Sequence, residues 1–119
     1  MNPLLVFAGG GLGAVLRYGV GRFAIHSGWA PPLATLAVNV AGCLIMGLLA
    51  GGFARGAGAE PWRLFLLTGM LGGFTTFSAF GLDTLSLWQR GAMGSAAAYV
   101  AASLILSLGA VALGFAVTR

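Results

Sequence analysis

Four apolar runs, at residues 4–24, 33–53, 62–84 and 95–117, take up most of this 119-residue chain. A run of about 20 residues measures about 30 Å as an α-helix, the thickness of the hydrocarbon core of a bilayer. Only 7% of the residues are charged against 59% hydrophobic, and the mean hydropathy is +0.98. A water-soluble domain of this size needs more charge than that. The expected fold class is an all-α membrane protein with four transmembrane helices, forming one domain over residues 1–119. The connectors "HSGWAPP", "ARGAGAEP" and "SLWQRGA" are short and hold most of the Pro, Trp and charge, as interfacial loops do. The opening "MNPLLVFAGG" has no Lys or Arg ahead of its apolar stretch, so it reads as a retained first span, not a secretory signal.

The 21 glycines fit this reading, because small residues let transmembrane helices approach closely. Gly9 with Gly13, Gly47 with Gly51, and Gly69 with Gly73 are spaced as G-x-x-x-G packing pairs. Gly9, Gly11 and Ala14 also fit a dinucleotide fingerprint, but that motif needs a βαβ unit and an acid about 20 residues on, where this chain reads "WAPPLA". Six Arg and no Lys stand against Glu60 and Asp83 alone, for a net charge of +4. The arginines are scattered singly, so no basic patch exists to hold nucleic acid. One His, one Cys and two separated acids supply no nucleophile–base pair, which excludes the common enzyme classes.

Basic residues ordinarily orient a membrane protein, with the richer loops staying inside. Here Arg55, Arg63 and Arg119 on one side balance Arg22 and Arg90 on the other, joined by Arg17 if it snorkels that way. A chain with an even number of spans and no bias inserts both ways up. The two populations are then able to pair about an axis in the membrane plane, an arrangement known among transporters. The expected assembly is an antiparallel, dual-topology homodimer.

Polar residues inside the spans mark candidate sites. Arg17 lies past the middle of the first span, where an arginine costs about 2.5–3.5 kcal/mol on insertion scales. It reads either as a snorkelling side chain or as a positive charge at the mouth of an anion pathway. In the second span Thr35, Asn39 and Cys43 recur at i, i+4 and i+8 on one helical stripe. Asn39 is open to two roles, interhelical glue or an amide whose two N–H donors face a permeating anion. Tyr99, Ser103 and Ser107 form a similar stripe in the fourth span, either bonding back to carbonyls of their own helix or lining a polar track. Such donors without fixed negative charge suit a small, strongly hydrated anion, whereas a cation path wants carboxylates or carbonyl rings.

The third span contains "LGGFTTFSAF". Gly72 and Gly73 each weaken a helix by about 1 kcal/mol relative to Ala, and the β-branched Thr75 and Thr76 add reluctance. A break at mid-membrane near residue 73 is expected. Non-helical backbone at that depth must be buried in protein or line a polar cavity. Carbonyls freed there attract a cation, while the N-terminus of the following half-helix favours an anion. Phe77 and Phe80 follow at i, i+3, either as packing residues or with their positive ring edges turned to an anion.

Over its full length the chain resembles the CrcB/Fluc fluoride channels: "GGGLGAVLRY", "TLAVNVAG", "GGFTTFSAF", Tyr99 and Ser103 occur in the family's order. The resemblance implies a passive fluoride channel of the bacterial inner membrane, a dual-topology homodimer exporting cytosolic fluoride and relieving its toxicity. It implies a structural sodium ion at the dimer centre, held by the main-chain carbonyls of Gly72 and Thr75 of both chains. It also makes Phe77 and Phe80 the pore aromatics, Asn39 a pore amide, and Tyr99 with Ser103 part of the polar track. Ser107, Thr76, Ser78 and Arg17 complete the expected pathway. Where relatives carry further hydroxyls and a Glu, this chain has Ala79, Gly81 and Asp83. The alternative is a small multidrug exporter, also four-spanned and often inverted as a dimer. Proton-coupled export, however, needs a membrane carboxylate, and the first span offers Arg17 in its place.

Overall fold

The computed structural model describes residues 2–56, 58 and 60–119. Met1, Ala57 and Ala59 lie outside it, the last two within the predicted second connector. Helix α1 runs Asn2–His26, α2 Pro31–Ala54, α3 Glu60–Arg63, α4 Gly72–Phe74, α5 Phe77–Gln89 and α6 Met93–Thr118, with a π-helical stretch Leu64–Leu71 joining α3 to α4. Taken as Asn2–His26, Pro31–Ala54, Glu60–Gln89 and Met93–Thr118, four helical segments are long and apolar enough to cross a membrane. They correspond to the four apolar runs, with the third extended by one turn at its C-terminal end.

The helix ends follow local chemistry. Pro31 occupies the first turn of α2, where a missing N–H costs nothing. Gly28 and Gly91 adopt φ of 89° and 78° just past α1 and α5. Beyond each, an N–H turns back to a carbonyl in the last helical turn, Trp29 to Ala24 O at 2.9 Å and Ala92 to Leu87 O at 2.9 Å. A left-handed glycine followed by this back-bond stops a helix cleanly.

Two seams of glycine hold the helices together. Helix α1 lies along the π-helical stretch and α4, and α2 lies along α6. In the first seam Gly9 faces Gly69: a Cβ on Gly9 would stand 2.5 Å from Phe65 O and 3.0 Å from the Gly69 Cα. Gly13 abuts the Met70 carbonyl and Gly73 the backbone of Gly10. In the second, a Cβ on Gly114 would stand 2.5 Å from Leu44 O, while Gly47 and Gly51 meet Val111 and Thr118 of α6. Any side chain at these points drives two backbones apart, so all three G-x-x-x-G pairs are packing faces. A π winding is uncommon and tends to occur at functional sites. Here it leads directly into the irregular residues of the third span.

Candidate functional site

The expected interruption at Gly72 and Gly73 is displaced. Both glycines are helical, and the residues outside helical geometry are Thr75 (φ −83°, ψ 156°) and Thr76 (φ −148°, ψ 119°). Gly73 is needed for its close approach to α1, not for backbone freedom. Two β-branched threonines prefer extended backbone, and neighbouring side chains fix them there.

Asn39 of α2 supplies the main fixing contact. Its Nδ2 donates to Thr76 O at 2.9 Å, and the Thr76 N–H donates to its Oδ1 at 2.7 Å. The side-chain amide therefore pairs with both backbone groups of Thr76, as a residue on a neighbouring strand would. Gly42, one turn along α2, makes room for the Thr75 methyl and the Phe74 ring. The Thr75 hydroxyl donates back to Leu71 O at 3.0 Å. The Thr76 hydroxyl caps α5 by accepting from Ala79 N at 3.1 Å and lies 3.2 Å from the Ser78 hydroxyl. Arg17 Nε donates to Gly73 O at 3.1 Å, placing a cation at the C-terminal end of the first half-span, where the helix dipole is negative. No donor from outside the helices reaches the carbonyls of Gly72 or Thr75 among the described residues.

Two clefts flank this turn, and Thr76 lines both. One, of about 280 Å³, is bordered by Arg17, Tyr18 and Arg22 of α1 and Thr35 of α2. The other, of about 220 Å³, is bordered by Asn39, Cys43, Thr75, Phe77, Phe80, Ser103 and Ser107 and contains no charged side chain. The Phe77 and Phe80 ring centroids are 5.4 Å apart, and Phe80 lies 5.2 Å from the Tyr99 ring. The Ser103 residue is only 7% exposed, and its hydroxyl has no hydrogen-bond partner. A buried hydroxyl that bonds to nothing, not even the carbonyl one turn back, leaves a donor and an acceptor unmet.

Asn39, Thr76, Phe77, Phe80, Ser103 and Ser107 thus share one neutral cleft. Arg17 lines the other cleft, so neither of its two expected roles describes its contact with Gly73. Ser78 is exposed beside Thr76, and Tyr99 sits at the Phe80 end with its hydroxyl donating to Asp83 Oδ2 at 3.2 Å. Of the two open readings of Asn39, the contact with Thr76 is that of interhelical glue, and with one N–H spent on Thr76 O at most the other is free to face an ion. Sequence reasoning missed the Arg17–Gly73 contact and the Tyr99–Asp83 pair. The first depends on a helix end whose position was misplaced, and the second on two spans meeting at one height.

The model of the family described as CrcB-like protein, Camphor Resistance (CrcB), matches residues 4–115. The chain belongs to the CrcB family. Among CrcB relatives, the fluoride-specific ion channel FluC 2 of Nitrobacter hamburgensis is 50% identical over 121 residues, covering 100% of this chain and 98% of the relative. The fluoride-specific ion channel FluC of Paracoccus denitrificans is 54% identical over 116 residues, covering 98% and 93%. That of Rhodospirillum centenum is 53% identical over 123 residues, covering 98% and 94%. With four spanning helices and channel relatives matched end to end, this CrcB chain is a multi-pass membrane protein.

Proposed function

We propose that the chain is a passive fluoride channel of the bacterial inner membrane, working as an antiparallel, dual-topology homodimer and letting cytosolic fluoride leave down its gradient. The relatives matched over their full length are named for that ion. The structural observation that supports the reading is the neutral cleft, lined by Ser103, whose buried hydroxyl is unpaired, together with Phe77 and Phe80. Fluoride is strongly hydrated and enters only where donors replace its water. The remaining Asn39 N–H and the Ser103 and Ser107 hydroxyls supply such donors, and the aromatic edges extend them. No lining carboxylate repels the ion and no lining cation traps it.

Phe77 is 79% exposed, which leaves the cleft open on one side. A second, inverted copy supplies the missing wall and explains the even distribution of arginines. A sodium ion at the centre of that dimer fits the carbonyls of Gly72 and Thr75, which among the described residues no donor from outside the helices satisfies. Its chemistry there is electrostatic, tying the carbonyl ends of two interrupted spans together. Arg17 and Asn39 engage the adjacent carbonyls of Gly73 and Thr76 and hold the turn in shape without it. Nothing favours the exporter alternative: Asp83, the acid within the spans, is engaged by Tyr99.

The test is discharge from proteoliposomes. Wild-type vesicles are expected to release fluoride and retain chloride on ion-selective electrodes, and Phe80→Ile to slow release. Equal release of both ions, or retention of both, would remove the reading.

A further inference from the structure

Cys43 is the one cysteine of the chain and lies one turn beyond Asn39 on α2. It is half-buried and borders the neutral cleft, as does Ser107 of α6. By itself a single thiol in a membrane helix has no special meaning. The second observation is Ser103, one turn before Ser107 on α6, a residue that borders the same cleft and whose hydroxyl, buried in the wall, has no hydrogen-bond partner among the described residues. A wall that holds an unmet hydroxyl beside a second hydroxyl and a thiol, among the apolar Leu104 and Leu108, leaves polar groups for which a guest in the cleft is the available partner.

We propose that Cys43 is part of the wall of the ion path, its S–H extending the donor row of Asn39, Ser103 and Ser107, and that small neutral thiophilic compounds bond to its sulfur and close the path. This rests on the channel reading of the cleft. The S–H is a weaker donor than a hydroxyl, so at this position it loosens the hold on an ion that must also leave. The cleft, at about 220 Å³, admits a small organomercurial. With methylmercury chloride an S–Hg bond forms, the Hg–Cl bond breaks, chloride leaves and the thiol proton passes to water. Because the chain has a single cysteine, any effect of such a reagent is assigned to one atom.

The experiment uses the full-length protein in liposomes, treated with methylmercury chloride and followed by fluoride electrode and by mass spectrometry. Wild type is expected to take up one mercury per chain and to fall to the release rate of protein-free vesicles. Cys43→Ala and Cys43→Ser each shift the basal rate and then show no further change with the reagent. Saturating fluoride is expected to slow mercury uptake by wild type. Normal release with no mercury bound, or full mercuration with release unchanged, overturns the placement of Cys43 while leaving the channel reading intact. Untreated wild-type vesicles that hold their fluoride overturn the channel reading, and this inference with it.

Discussion

The two clefts on either side of Thr76 are of similar size but opposite chemistry. The one between α1 and α2 carries Arg17 and Arg22, while the one between α2, α5 and α6 carries amide, hydroxyl, thiol, aromatic and leucine side chains and no charge. On the proposed channel reading, the first would draw an anion from a distance and the second would hold it at contact. Charge concentrates the ion but would bind it too firmly deep in a low-dielectric wall, where a unit charge pair interacts far more strongly than in water. Neutral donors replace water without that penalty on exit. The turn at Thr75 and Thr76 is the boundary, and Asn39 and Arg17 hold it from opposite sides.

The largest expected effect comes from breaking that boundary. Asn39→Asp keeps an acceptor for the Thr76 N–H but, as a carboxylate, cannot donate to Thr76 O, and it turns an oxygen toward that carbonyl in place of the amide nitrogen. Leaving the carbonyl unpaired costs about 1–3 kcal/mol, before any charge repulsion toward the ion. Fluoride release from proteoliposomes should be abolished and the melting temperature in detergent lowered. Lowered stability with undiminished release would reduce Asn39 to a clip and move the ion path elsewhere.

A smaller effect is expected on the charged side. Arg17→Met keeps the apolar stem but loses the Nε donor to Gly73 O, a charged hydrogen bond of about 1.5–3 kcal/mol. Fluoride release should slow most at low ionic strength, and the deficit should shrink with added salt, because screening shortens the reach of charge from about 30 Å at 0.01 M to about 8 Å at 0.15 M. A deficit that ignores salt would make Arg17 a brace for the turn and not an attractor of ions.

The spans were legible because hydrocarbon thickness imposes its length on every helix, and the glycine pairs because backbone contact tolerates nothing larger. The stripe of Ser103 and Ser107 and the pair Phe77 and Phe80 were legible for the same reason, helical periodicity within one span. The position of the irregular turn was not. Glycine propensity pointed to residues 72 and 73, whereas the structure keeps those helical against α1 and bends at Thr75 and Thr76, where Asn39 from another span offers the lost backbone bonds. For a related cause the contacts of Arg17 and Asp83 were not legible. Each has a partner more than a dozen residues away, and no local pattern encodes the depth at which two helices meet.

Ser103→Ala gives the smallest effect and the sharpest contrast between the clefts. A hydroxyl that anchors a fold loses stability when removed, by about 1 kcal/mol for an ordinary hydrogen bond. Ser103 anchors nothing, since its buried Oγ is unpartnered. Its removal should therefore leave the detergent melting temperature level or slightly raised while fluoride release slows, the two readouts moving independently. In Thr118→Val, by contrast, the lost hydroxyl bonds Leu48 O at 2.7 Å across the α2–α6 seam, so stability should fall first. If Ser103→Ala instead melts earlier and conducts normally, the hydroxyl has a structural partner in the assembled protein, and the neutral cleft loses its strongest claim to an ion.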